Sequence, residues 1–207
     1  MFDGMMEQEK VWDVAGRPWK DFRVSTPKDV ENFLAGKNGK ILDVGCGSGR
    51  NFLRIDGLDW YGIDFSGVML KYAKKHAVEK GIGVELAKGS VDELPYEDNF
   101  FDYVLFYATL HCVDSAKKRK KSLEEVFRIL KSGGEVLISV WGRGSPRLKN
   151  KDKECFVPWT VRGGDEKVQR YTYIYDLEEL KKDLEDVGFE IVKIWEDVNV
   201  NAIVRKV

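Results

Sequence analysis

The stretch Lys40-Ile41-Leu42-Asp43-Val44-Gly45-Cys46-Gly47-Ser48-Gly49 decides the reading of this chain. Residues 40–44 form a short strand of the buried type that runs straight into a Gly-x-Gly-x-Gly turn. An acid, Asp43, stands two residues before the first glycine. Glycines in such a turn let the backbone take positive φ and let a ligand approach main-chain N–H groups that a Cβ would shield. Strand, tight turn and helix in succession is how an open α/β sheet builds a nucleotide-type site at the carboxyl end of a strand. The third glycine comes one residue earlier than in the dinucleotide fingerprint Gly-x-Gly-x-x-Gly. The plain alternative is a glycine-rich connection that binds nothing, and the spacing of the residues downstream reduces it.

Beyond the turn, a short helix is expected over 49–55 and a second strand over 59–63, ended by Asp64. Ser66-Gly67 starts a helix that runs to about Glu79 and is closed by Gly81. Strands come next over 84–87 and 101–107, the latter a continuous apolar run suited to burial on both faces. A helix over 116–130 ends at Gly133-Gly134, and a strand covers 135–141. Asp176 caps a helix whose apolar positions Leu177, Leu180, Leu184 and Val187 fall at helical spacing. Two closing strands, 190–196 and 199–205, read as an antiparallel pair. Upstream, residues 1–38 read as helical, with a first segment over 7–15 and a second opened by Pro27.

Strands alternating with helices imply an α/β fold. The expected form is a Rossmann-like, doubly wound, seven-stranded and mostly parallel sheet with an antiparallel final strand pair and N-terminal helices. One domain over 1–207 is expected, with a helical cap over 1–38 and a substrate-side insertion over 142–175. That insertion is polar, basic and aromatic with little periodicity, and so long a segment in a compact domain usually carries function.

The bulk numbers exclude several classes. The chain has 207 residues, 43% hydrophobic and 33% charged, with a formal net charge of −1. No apolar run approaches a membrane span, and the N-terminus lacks the pattern of a signal peptide. Cys46, Cys112 and Cys155 are widely separated and form no CxxC pair, so neither a disulfide framework nor a zinc knuckle is suggested. No metal site and no membrane partner are expected, and a reducing, cytoplasmic location fits. Charge is nonetheless local. Lys117-Lys118-Arg119-Lys120-Lys121 is a pure basic run, and Arg143, Arg147, Lys149, Lys151 and Lys153 form a second basic stretch. Both come after strands whose carboxyl ends lie on the same edge as the glycine turn.

The glycine turn with its upstream Asp43 resembles motif I of the class I S-adenosylmethionine (SAM) methyltransferases. The resemblance covers nearly the whole chain, down to the final strand pair. It implies SAM as cofactor, with Asp43, Gly45, Cys46 and Gly47 around its methionine part and Asp64 on the ribose hydroxyls. The bland reading of Asp64 is a helix cap, but Ser66 can serve that purpose. Gly89-Ser90-Val91-Asp92 resembles the segment that binds adenine; Ser90 stands where the family has Asp, which shifts weight to the backbone of Val91 or to Asp92. Phe101-Asp102-Tyr103-Val104 followed by Leu110-His111 resembles the family's Phe-Asp-x-Val strand and Leu-His-His turn. It implies that Phe106 and His111 meet the cofactor, with His111 also a catalytic candidate.

A narrower likeness rests on Arg23 before Pro27, Val140-Trp141, Val157-Pro158-Trp159 and Arg170-Tyr171-Thr172-Tyr173. These resemble the tRNA methyltransferases that esterify the carboxymethyl group of wobble uridine, although Tyr171-Thr172-Tyr173 lacks that family's His. The resemblance implies a tRNA substrate and a small zinc-binding activator subunit as partner. A carboxylate is ionised at neutral pH and needs no general base. The main requirement is then a cation to seat it, for which Arg23 is the first candidate and Arg170 the second. Two other readings stand beside this one: a methyltransferase of a quinone or small metabolite, and a SAM-binding subunit without turnover.

Overall fold

The computed structural model describes residues 7–22, 25–160 and 167–207. Seven strands make one sheet: β1 (Gly39–Val44), β2 (Leu58–Asp64), β3 (Val84–Lys88), β4 (Phe101–Tyr107), β5 (Leu130–Trp141), β8 (Phe189–Glu196) and β9 (Asn199–Lys206). Their order is β3-β2-β1-β4-β5-β9-β8. The β1–β2, β2–β3, β1–β4 and β4–β5 pairs are parallel, while β9 runs antiparallel to both β5 and β8. This is the doubly wound sheet and reversed final pair that the alternating pattern implies.

Helices cover both faces. On one, Val30 and Phe33 of α2 (Lys28–Leu34) and Ala73 and Ala77 of α3 (Gly67–Glu79) pack on Ile41, Leu105 and Leu137. On the other, Leu123 and Val126 of α4 (Ala116–Ile129) and Leu180 and Leu184 of α5 (Leu177–Val187) pack on Leu42, Val104 and Ile138. Consecutive residues of β1 thus serve opposite cores, which is why the strand is apolar without alternation. Each fully buried aliphatic contributes about 1.5–3 kcal/mol. Ser66 Oγ accepts from Met69 N at 3.1 Å to start α3, and Ser115 Oγ accepts from Lys118 N at 3.2 Å to start α4.

Four expectations need correction. First, residues 49–55 are not helical: Gly49 N bonds Cys46 O and Phe52 N bonds Gly49 O, giving two successive turns and then extended chain. Gly49 sits at φ +83°, and Phe52 turns inward to meet Trp60, ring centroids 5.3 Å apart. Second, α1 (Gln8–Phe22) continues past Ala15 and through Pro18. A Cβ on Gly16 would stand 3.1 Å from Val68 Cγ1, so the glycine lets α1 lie directly on the start of α3. Third, α4 stops at Ile129 and β5 begins at once, absorbing Gly133 and Gly134. The pairing of β4 with β5 shifts register between Phe101 and Tyr103, which accommodates them. Fourth, the 142–175 segment is partly regular: β6 (Glu154–Thr160) and β7 (Lys167–Tyr173) form a separate antiparallel pair.

Candidate active site

The carboxyl ends of β1, β2 and β4 converge on a cavity of about 170 Å³. Its floor is the glycine turn. Gly45 takes φ +71°, and a Cβ there would stand 2.3 Å from Thr109 Cγ2. Thr109 Oγ1 also donates to Gly45 O at 3.3 Å, so the end of β4 braces the turn. Gly47, at φ +53°, has open space where its Cβ would point. Its N–H donates to Asp64 Oδ2 at 2.9 Å, while Asp64 Oδ1 accepts from Ser66 N at 2.9 Å. Asp64 therefore ties the turn to the start of α3 and still lines the cavity, and Ser66 takes the helix cap.

Asp43 lies fully buried behind the turn. Asn51 Nδ2 donates to both of its oxygens, at 3.1 and 3.3 Å. With its amide nitrogen so committed, Asn51 Oδ1 is a buried acceptor with no hydrogen-bond partner, in a residue that lines the cavity. Burial pushes the Asp43 carboxyl up to about 7, against the Asn51 hydrogen bond and the Arg50 charge that hold it down. Burial likewise lifts Asp64 to about 6, opposed by its two backbone amides. Both acids gain from a cation brought close to them.

The other sequence candidates fall on either side of the cavity wall. Gly45, Cys46, Gly47, Asp64, Ser90 and Val91 line it. Ser90 Oγ is hydrogen-bonded to Asp92 Oδ1, and Asp92 lines it too. Phe106 is fully buried in the core and does not line the cavity. His111 is buried as well: its ring stacks on Trp141 at 4.7 Å and its Nδ1 accepts from Trp141 N at 3.4 Å, outside the lining. Arg23 lies outside the described residues. Arg170 is 4% exposed, its guanidinium 5.0–5.5 Å from the ring centroids of Trp12, Trp141 and Trp159. Asn51 is not singled out by the sequence: it is an amide residue eight positions after the acid, within the segment expected to be helical.

Helix α1 crosses the cavity, with Gln8 and Trp12 on its wall. On one side Asp13 Oδ1 accepts from Ser66 Oγ at 2.6 Å. On the other, Gln8 Oε1 accepts from Tyr171 N at 2.9 Å. The first basic run divides in two. Lys117, Lys118, Lys120 and Lys121 are exposed, whereas Arg119 turns inward and bonds Val113 O and Tyr171 Oη, lying 3.7 Å from the Tyr173 ring. In the second stretch Lys153 is taken up by Asp176 and Glu179, while Arg147, Lys149 and Lys151 are exposed.

The sheet order, the turn and the paired buried acids define a SAM-dependent methyltransferase of the Rossmann-like class. The residues suit that cofactor: an unpartnered buried carbonyl and two buried carboxylates await positive charge, and Gly47 leaves room for a ligand. Comparison with known proteins agrees. Residues 42–138 match the methyltransferase domain family. The chain is 32% identical over 175 residues to a putative methyltransferase of Encephalitozoon cuniculi, covering 81% of this chain and 77% of that protein. It is 29% identical over 153 residues to the tRNA (carboxymethyluridine(34)-5-O)-methyltransferase of Arabidopsis thaliana, covering 73% of this chain and 35% of that protein. It is 32% identical over 174 residues to phosphoethanolamine N-methyltransferase 3 of the same plant, covering 82% and 32%. The chain thus spans about a third of either Arabidopsis protein. The fold also matches a solved complex of the Haloferax volcanii Trm112 methyltransferase activator with a putative methyltransferase, at TM-score 0.69 and 16% identity, covering 98% of this chain and 99% of that one. The chain belongs to the methyltransferase domain family, and its cofactor is SAM.

Proposed function

We propose that this methyltransferase esterifies the carboxymethyl group of a tRNA wobble uridine. The observation that carries the reading is the likeness to the Arabidopsis carboxymethyluridine enzyme across most of this chain. The exposed cations of both basic stretches support it, since phosphate contacts need such side chains on the edge where substrate enters. In this reading SAM supplies an electrophilic methyl group. The substrate carboxylate is its own nucleophile: the O–CH3 bond forms as the S–CH3 bond breaks, the electron pair goes to sulfur, and no proton moves. The chain's task is orientation and seating of charge.

Asp43 and Asn51 hold the cofactor's ammonium, Asp64 takes ribose hydroxyls, and Ser90, Val91 and Asp92 take adenine. Cys46 and the glycines form the surface under the methionine part. A small zinc-binding activator is the expected partner, by the family resemblance and by the fold likeness to a protein solved with Trm112. The test is methyl transfer from labelled SAM to unfractionated tRNA, with and without an activator subunit, followed by nucleoside analysis. Alkali-labile label on a wobble uridine supports the ester; alkali-stable label rejects it. The likeness to a phosphoethanolamine N-methyltransferase favours a second reading, methylation of a small metabolite, which predicts no transfer to tRNA and transfer to a phosphoamine instead.

A further inference from the structure

We infer that Glu125 and Arg128 of α4 are positioning residues for the cofactor's adenine: their ion pair clamps the chain at residues 94–98 and so fixes residues 90–92, an inference that rests on Ser90, Val91 and Asp92 being the adenine contacts. Those three residues line the cavity, yet residues 89–100 belong to no helix or strand. A segment without a ladder must find partners for its backbone elsewhere. At one end Gly89 N donates at 3.2 Å to the carbonyl oxygen of Asp64, the residue whose carboxylate ties down the glycine turn. At the other end Leu94 gives both of its backbone groups to α4. Its N–H donates to Glu125 Oε2 at 2.9 Å, and its carbonyl oxygen accepts from Arg128 Nη2 at 3.0 Å. Between these points Glu93 N donates to Ser90 O at 3.3 Å, so residues 90–93 form a turn slung from two fixed ends.

Every N–H of the Arg128 guanidinium has an acceptor in this clamp. Nε and Nη2 donate to Glu125 at 3.0 and 2.8 Å, Nη2 also donates to Leu94 O, and Nη1 donates to Tyr96 O and Asp98 Oδ1, both at 2.7 Å. A planar fork can hold one carboxylate and two carbonyls at once, which a lysine ammonium cannot reproduce. The Arg128 hydrogen bond, against burial and with help from the Leu94 amide, holds the Glu125 carboxyl down to about 2, so the pair stays ionised around neutral pH. Lys121 Nζ lies 3.4 Å from Glu125 Oε1 on the exposed side. Leu94 is sunk in the apolar cluster that α4 lays on the sheet, and Val91 packs against the same cluster. A displaced clamp therefore displaces the adenine wall. Asp43, by contrast, belongs to β1 and has Asn51 as a separate partner.

The test separates recognition of adenine from overall binding. S-adenosylhomocysteine and S-inosylhomocysteine, which differ in the purine alone, are titrated by calorimetry into wild type, Arg128→Lys, and the double variant Glu125→Gln with Arg128→Met. The double variant leaves no unpaired buried charge. Wild type is expected to favour the adenine ligand by about tenfold or more, as for a polar group left without its partner. Both variants are expected to lose most of that preference while binding the inosine ligand within about twofold of wild type, as for independent sites. A loss of affinity shared equally by both ligands, or no loss at all, overturns the positioning role and leaves the adenine contacts standing. No preference in wild type overturns the adenine contacts and this inference with them. A second measurement needs no variant. In ligand-free wild type the Leu94 amide is expected to exchange with deuterium on the order of 100-fold more slowly than an open loop amide. Exchange as fast as an open loop shows that no clamp is formed in advance and overturns the inference.

Discussion

Asn51 donates its side-chain amide to both oxygens of Asp43, at 3.1 and 3.3 Å, and so leaves its own carbonyl oxygen without a partner in the protein. The pair stores an unmet need for positive charge in a dry place. Asp43→Asn removes that need while keeping the shape. At pH 7.5 the ligand-free variant is expected to melt several degrees above wild type, and its SAM affinity to fall on the order of 100-fold, as for loss of a buried charge-assisted bond. Thermal melts with isothermal titration check both; unchanged SAM affinity would remove Asp43 from the cofactor site.

The same acids set a pH dependence. Asp43 is raised from 3.8 to about 7 and Asp64 to about 6, so between pH 4 and 7 the folded protein holds more protons than the unfolded chain. Their contribution to stability is therefore present in acid and lost as pH rises through 6 to 7. Cofactor binding has the opposite sign, because a cation favours the ionised forms. SAM affinity is expected to weaken about tenfold per pH unit below pH 7 and more steeply below pH 6, where Asp64 also takes up a proton, with protons released on binding near neutrality. Titration in buffers of different ionisation enthalpy measures that release; proton uptake would contradict it.

Gly45 and Gly47 separate fold from function. Gly45→Ala drives a Cβ into Thr109 at positive φ and is expected to cost several kcal/mol, seen as poor expression or a much lower melting temperature. Gly47→Ala meets open space, so only the positive-φ cost of about 1–2 kcal/mol applies. Its methyl group enters the room for the cofactor, and SAM affinity is expected to drop at least tenfold in a folded protein. Equal melting temperatures for the two variants would count against this division.

The basic run offers a similar contrast. Arg119→Ala strands Tyr171 and opens the contact between α4 and β7, with an expected loss of about 1.5–3 kcal/mol, as for a buried hydrogen bond to a charged group. Lys117→Glu with Lys120→Glu alters exposed side chains and should leave the melting temperature within about 2 °C. Under the tRNA reading the double variant weakens tRNA binding and lowers the salt dependence by about two counterions. If tRNA binding and its salt slope both stay at wild-type values, those lysines are only a solvated helix face.

The alternation of strands and helices, the reversed final strand pair and the glycine turn were legible because hydrophobic periodicity and glycine placement are local signals; the order of the strands, which is not local, was not read from them. In Phe101–Tyr107 the stretch Val104-Leu105-Phe106 is fully buried between two helical layers, as its apolar run requires, while Asp102 interrupts the run and reaches Lys131. Arg119 was illegible: within five consecutive cations, only the tertiary position of β7 decides which one turns inward. The helix expected over 49–55 failed because Phe52 gains more by packing on Trp60 than the segment gains from a turn of helix. Residues 142–175 looked irregular because β6 and β7 pair with each other and do not join the main sheet, so no long apolar alternation marks them. His111 has a good motif position, yet its ring is spent on Trp141.

Helix α1 is fastened at Ser66 on one bank of the cavity and at Tyr171 on the other. Between those two points it is held by a handful of polar contacts and the small Val11–Ala15–Val168 cluster, with no long buried face of its own on the main sheet among the described residues. One wall of the cavity is thus built from the part of the described chain with the smallest apolar core, while the opposite wall, the glycine turn, is built into the sheet.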